Sequence, residues 1–227
     1  METITVLLAD DYLAVRGGLR VALGQVSGLT VIGETCTIRE TLDHVTRERP
    51  TVAVVGVLLS DGSGAEVCRG IDRARAQTAV LMLTAFDWDV YLAEAWSAGA
   101  VGFIPMRVDL RGLVEAIRGA AAGARLYAPE QMRRIQDWHV AVGTRLAALT
   151  PREREVLTLV SAGKSNREIA ELCVLTQNTV EKHVSAVLRK LGVCSRQSLV
   201  VFVMDHHLQV SECRMPRLQP GISFLSG

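Results

Sequence analysis

Ile4-Thr5-Val6-Leu7-Leu8-Ala9-Asp10-Asp11 opens the chain with a short, β-branched-rich apolar run that ends abruptly on two carboxylates. Such a run is too short for a buried helix and reads as a strand buried on both faces, with its acidic pair at the carboxyl end. Four more runs of this kind follow, at residues 29–33, 52–57, 80–84 and 101–105, each closed by Asp, Gly, Ser or Pro. Between them, residues 15–26, 38–48, 65–76, 90–98 and 110–122 carry apolar side chains at helical spacing. Strict alternation of strand and helix predicts a doubly wound, five-stranded parallel sheet with helices on both faces, over residues 1–123. In such a sheet the crevice lies beyond the carboxyl ends of the strands, so the residues that follow each strand are the ones to weigh.

The pattern changes after Gly123. Residues 124–148 read as a helical connection, with Met132, Ile135, Trp138 and Val142 along one side. Residues 149–210 read as a small all-α domain. The last stretch, 211–227, holds Pro216 and Pro220 with little periodicity and reads as a flexible tail. Charge divides along the same line: residues 1–123 carry 11 basic and 15 acidic side chains, and residues 124–227 carry 14 and 9. All three lysines, Lys164, Lys182 and Lys190, lie in the basic half. An acidic front and a basic back suit a sensor or partner domain joined to a nucleic-acid reader. No apolar run reaches the length of a membrane span, and no basic stretch precedes the first strand as in a secretory leader. Five scattered cysteines without C-x-x-C spacing argue against a zinc site and fit a reducing cytoplasm.

Leu149-Thr150-Pro151-Arg152-Glu153 starts a helix with an N-cap, a proline at the first helical position and a capping-box glutamate. Gly163 stops it, a second helix starts near Ser165, and a third starts at Thr176 and runs to Leu191-Gly192. On the third helix Val180, Val184, Val187, Leu188 and Leu191 share one face, while Asn178, Glu181, Lys182, Ser185 and Arg189 share the other. An apolar anchor backed by a polar, partly cationic face is what a helix lying in the DNA major groove requires.

Residues 149–200 resemble the LuxR-type helix-turn-helix of NarL/FixJ-family response regulators. The matching motifs are Leu149-Thr-Pro-Arg-Glu-Arg-Glu-Val-Leu157, Gly163-Lys-Ser-Asn-Arg-Glu-Ile-Ala170, Thr179-Val-Glu-Lys-His-Val184 and Leu188-Arg-Lys-Leu-Gly-Val193. The resemblance implies that Glu181, Lys182 and Ser185 face base edges. It places Lys164, Thr176, Asn178, Thr179, Arg189 and Lys190 at phosphates of a double-stranded, two-fold related site. It also implies a homodimer in which the last helix contributes Leu199, Phe202 and Val203. Val174 departs from the family, which commonly has glycine in the turn before the recognition helix. A valine there is strained if the backbone needs positive φ, so a rearranged turn is expected.

Residues 1–123 resemble the receiver domain of the same family, through Val6-Leu-Leu-Ala-Asp-Asp11 and Leu81-Met-Leu-Thr-Ala-Phe86. In that family the acidic pair holds Mg²⁺, an aspartate ending the third strand takes the phosphoryl group, a Thr or Ser senses it, and a lysine ending the fifth strand neutralises it. Here Asp10, Asp11, Thr84 and the aromatic Phe103 are kept, but Gly56 stands at the acceptor position and Met106 at the lysine position. Glycine has no nucleophile and a thioether has no charge, so the domain reads as an atypical, degenerate receiver. Asp10 and Asp11 alone leave at most a weak Mg²⁺ site, and no cofactor is expected. The expected protein is a non-enzymatic regulator that works without aspartate phosphorylation, resembling orphan regulators of this type. A hydrophobic small molecule near Leu58, Leu59, Trp88 and Met106, or dimerisation at the receiver, would then supply control. The alternatives are a protein that sequesters a partner regulator, and a phospho-switch using a non-standard carboxylate such as Asp61.

Overall fold

The computed structural model describes residues 3–206 and Leu208; the tail expected at residues 211–227 lies outside the described residues. The chain divides into two compact units, one ending at Val140 and the other beginning at Ala141.

The first unit contains the alternation expected from the sequence. In chain order it runs β1 Ile4–Ala9, α1 Leu13–Gly24, β2 Leu29–Thr35, α2 Ile38–Glu48, β3 Val52–Gly56, β4 Leu58–Leu59, β5 Gly62–Ser63, α3 Gly64–Arg73, β6 Ala79–Thr84, α4 Asp89–Ser97, β7 Gly102–Pro105, α5 Leu110–Ala121 and α6 Pro129–Trp138. Strands β1, β2, β3, β6 and β7 form one sheet, ordered β2-β1-β3-β6-β7, and every pair in it is parallel. Side chains alternate across it. Leu7, Ala53, Val55, Met82 and Phe103 enter one core, while Val6, Leu8, Val54, Leu81 and Leu83 enter the other. Both faces are covered, which is why these strands read as continuous apolar runs.

Two features were not expected. After β3 the chain makes a tiny antiparallel hairpin, Leu58 opposite Ser63 and Leu59 opposite Gly62. The first unit also runs on past residue 123. Helix α6 packs on it through Ile135, which is 2% exposed in the core shared by Met82 and Phe103. Tyr127 donates its hydroxyl to the Ala100 carbonyl (3.2 Å), and Gln131 donates to the Phe103 carbonyl (2.9 Å). Residues 124–148, expected to form a helical connection, are helical from Pro129 to Ala147: α6 is followed by a π-helical turn, His139–Gly143, and then by α7, Thr144–Ala147.

The second unit continues with α8 Pro151–Ser161, α9 Asn166–Cys173, α10 Gln177–Leu191 and α11 Arg196–Asp205. Each of these four has a side-chain N-cap. Thr150 accepts from Glu153 N–H, Ser165 from Glu168 N–H, Thr176 from Thr179 N–H and Ser195 from Ser198 N–H. Glu153 and Glu168 return the bond to the cap backbone, completing two capping boxes. Val156, Val160, Ile169, Val180, Val187, Leu191 and Leu199 are buried in this unit.

Candidate nucleic-acid interface and receiver crevice

The candidate recognition surface expected from the sequence falls on one face of α10. Asn178, Glu181, Lys182, Ser185 and Arg189 are all exposed, while Val180, Val187 and Leu191 behind them are buried. Their steps of three, one, three and four residues keep the polar set on one side of the helix. Thr176 caps the helix, and its hydroxyl lies 2.8 Å from that of Thr179. Gln177, exposed in the first turn, joins this surface; sequence reasoning passed over it because no cationic or branched pattern marks it. Lys164 sits in the loop before α9 with its ammonium 3.6 Å from Glu168.

Lys190 departs from the phosphate role expected for it. Its ammonium turns inward and donates to Glu153 Oε2 at 2.6 Å, tying the last turn of α10 to the first turn of α8. The bond from Lys190, aided by the Thr150 N–H, pulls the Glu153 carboxyl down to about 2. A lysine spent on a carboxylate that is 6% exposed is poorly placed to release a counterion.

The turn before α10 is not rearranged. Val174 takes the left-handed conformation itself, φ 54° and ψ 51°, with its side chain 90% exposed. Arg152, at the start of α8, donates to the Cys173 carbonyl beside it. The dimer residues also need correction. Leu199, Phe202 and Val203 are buried inside this unit, so they close its own core; on α11 the exposed apolar side chains are Val201 and Met204.

In the first unit the polar groups at the strand ends are bonded to their own neighbours. A Cβ placed on Gly56 would lie 2.6 Å from Asp10 Oδ2 and 3.2 Å from its Cγ, so the Asp10 carboxyl stands where a side chain at 56 would begin. Its Oδ1 accepts from the Tyr12 N–H (2.8 Å), and Arg16 donates to the Asp10 carbonyl. Burial raises the Asp10 pKa above its ordinary value, with Asp11 adding to the rise and the Tyr12 bond and Arg16 opposing it. Arg16 was missed in the sequence, because it lies a full helical turn inside α1 from the pair it serves. Thr84 is likewise satisfied locally: its hydroxyl donates to the Phe86 carbonyl (2.9 Å) and accepts from the Phe86 N–H (2.8 Å). Phe103 is 1% exposed, whereas Met106 is at the surface.

The donor set for Mg²⁺ is short. A hard cation takes about six oxygens, yet Asp10 is turned toward Gly56 with Arg16 beside its backbone, and no group of three His, Cys, Asp or Glu able to hold a metal occurs among the described residues. These residues do not fit the ion. Asp61, the nearest other carboxylate by sequence, is engaged elsewhere: its Oδ1 accepts from the Ile38 N–H at 2.6 Å, at the start of α2. Leu59 is buried, and Leu58, partly exposed, packs on the same core. Trp88 stacks on Tyr91 (5.5 Å) and lies 4.8 Å from Phe86.

A parallel sheet of this order with an acidic pair at the carboxyl end of β1, followed by a capped helix-turn-helix, defines a DNA-binding response regulator. The receiver domain family matches residues 6–118, and the luxR family of bacterial regulatory proteins matches residues 147–203. The response regulator protein VraR of Staphylococcus aureus is 32% identical over 206 residues, covering 91% of this chain and 99% of VraR. The chain therefore belongs to the response regulators with a LuxR-type DNA-binding domain. Among solved structures, the response regulator ChrA of a heme-sensing two-component system is 27% identical, covering 91% of this chain and all but 1% of its own, with a TM-score of 0.54. RcsB in complex with DNA shares the fold at 20% identity and a TM-score of 0.57, covering 89% of this chain and 98% of its own. No helix among the described residues is long and apolar enough to cross a membrane.

Proposed function

We propose that this protein is a sequence-specific transcription regulator whose receiver acts without phosphorylation of an aspartate. The observation that carries this reading is the Asp10 carboxyl standing against Gly56, in the place an acceptor side chain would need. Phosphoryl transfer to a carboxylate needs a nucleophile, a bridging cation and positive charge on the equatorial oxygens. Gly56, the short donor set and Met106 remove one each. Incubation of the full chain with acetyl phosphate and Mg²⁺, followed by intact mass, is expected to show no added phosphoryl group while DNA binding persists; a single added group would overturn the reading.

The DNA contact is assigned to Asn178, Glu181, Lys182, Ser185 and Arg189 on α10, with Lys164, Thr176 and Thr179 at the backbone. Glu181 is suited to accept from a cytosine N4 amino group. Two copies on a two-fold site would meet through the exposed Val201 and Met204 of α11. Lys164 and Arg189, at phosphates, then supply four cations per dimer, so log K should fall against log salt with a slope of about −4. A shallow slope with no sequence preference would favour sequestration of a partner regulator instead.

For control, Phe86 tilted against Trp88 in the β6–α4 loop, Trp88 stacked on Tyr91 of α4, and the exposed Met106 favour a hydrophobic effector over an anion. Quenching of Trp88 fluorescence by apolar aromatic compounds, absent in a Trp88→Leu chain, is the expected signature.

A further inference from the structure

Arg134 fastens helix α6 to the β6–α4 loop and the first residue of α4. The Arg134 guanidinium donates to Asp87 Oδ1 (2.9 Å), to the Asp87 carbonyl (2.8 Å) and to Asp89 Oδ1 (2.7 Å). Asp87 takes a further bond from Arg107 on the β7–α5 loop (3.2 Å). Burial works against charge on both Asp87 and Arg134, but their mutual bonds outweigh it, holding the Asp87 carboxyl below and the Arg134 guanidinium above its ordinary pKa. Asp87 lies three residues past Thr84, in the loop whose backbone at Phe86 holds the Thr84 hydroxyl.

These contacts form a chain. Anything that draws the Thr84 hydroxyl toward the crevice must break its two bonds to Phe86 and move the peptide that leads into Asp87. Asp87 and Asp89 carry Arg134 with them, and Arg134 sits on a helix whose other polar anchor, Gln131, holds the carbonyl of Phe103 on the adjoining strand. A planar fork bonded to one carbonyl and two carboxylates transmits displacement far better than a surface ion pair, since its geometry is fixed.

We propose that Arg134 is a positioning residue that couples the conformation of the β6–α4 loop to helix α6, the segment that leads into the DNA-binding unit. The coupling is mechanical and holds whatever occupies the crevice, so it stands apart from the question of phosphorylation.

The test uses the full chain and a duplex selected by the wild-type protein from a random-sequence pool. Arg134→Ala, Asp87→Asn and their double variant are compared by amide hydrogen exchange and by Kd for that duplex. Each single change is expected to speed exchange in residues 129–138 about tenfold and to shift Kd at least threefold, with the double variant no further displaced than Arg134→Ala. Arg133→Ala, which removes only a bond to Glu130 within the same helix (2.8 Å), should change neither. Should Arg134→Ala fail to fold, Asp89→Asn removes one bond of the fork and should give the same changes at smaller size. Unchanged exchange, an unchanged Kd, or effects that add in the double variant would overturn the proposal.

Discussion

At Val174 a β-branched residue holds the left-handed backbone that a glycine would take without strain. That conformation costs an ordinary L-residue about 1–2 kcal/mol, and the side chain, 90% exposed, recovers little by packing. Val174→Gly is therefore expected to stabilise the second unit by about 1 kcal/mol, after the entropic cost of glycine, as a rise in Tm by calorimetry. Asp10 is a second residue held against its preference. A carboxyl whose pKa is raised on folding binds its proton more tightly in the folded state. Its contribution is most favourable below its ordinary value and is lost as pH rises through the raised one. At neutral pH Asp10→Asn, which keeps an oxygen for the Tyr12 N–H, should stabilise the first unit by about 1 kcal/mol, and the gain should vanish in acid.

Helices α8 and α10 are joined at their ends by Glu153 and Lys190, and that pair sets an acid limit. The Glu153 carboxyl titrates near 2 when folded against an ordinary 4.5. The bond thus stabilises fully above about pH 4.5 and is lost as pH falls toward 2. Lys190→Met should cost roughly 1–3 kcal/mol at neutral pH and flatten that acid limb in circular dichroism. Sequence had shown only half of Glu153. Spacing from Thr150 marks the capping box, because that contact is local, whereas the partner 37 residues away is set by packing. The same division runs through the whole chain. Strands β1, β3, β6 and β7, and α10 with its two faces, were legible because period and punctuation are local signals. The burial of Leu199, Phe202 and Val203 was not, since an apolar stripe reads alike whether it meets its own core or a second copy. Nor was the docking of α6: Ile135 and Arg134 look like any connector's residues until the β6–α4 loop is beside them.

On the scale of the molecule, two units with separate cores should unfold in two calorimetric transitions. Asp10→Asn is expected to move one transition and Val174→Gly the other; a single transition shifted by both would show that the units unfold together. The acidic front and basic back also place nearly all salt sensitivity of DNA binding in the second unit.

The carboxyl of Asp10 against Gly56 makes the two positions interdependent. With no side chain at 56, the Asp10 carboxyl lies where one would begin, so a larger residue there must displace it. Gly56→Asp alone would set two carboxyls in contact, with no Lys side chain at 106 to draw them apart, and is expected to destabilise the first unit by about 1–3 kcal/mol. Met106→Lys introduced first supplies the missing charge, and Gly56→Asp should then be tolerated better than in the parent chain. The cost of an acid at 56 thus depends on the charge at 106, and stability of the two single and the double variant by denaturant titration measures that dependence.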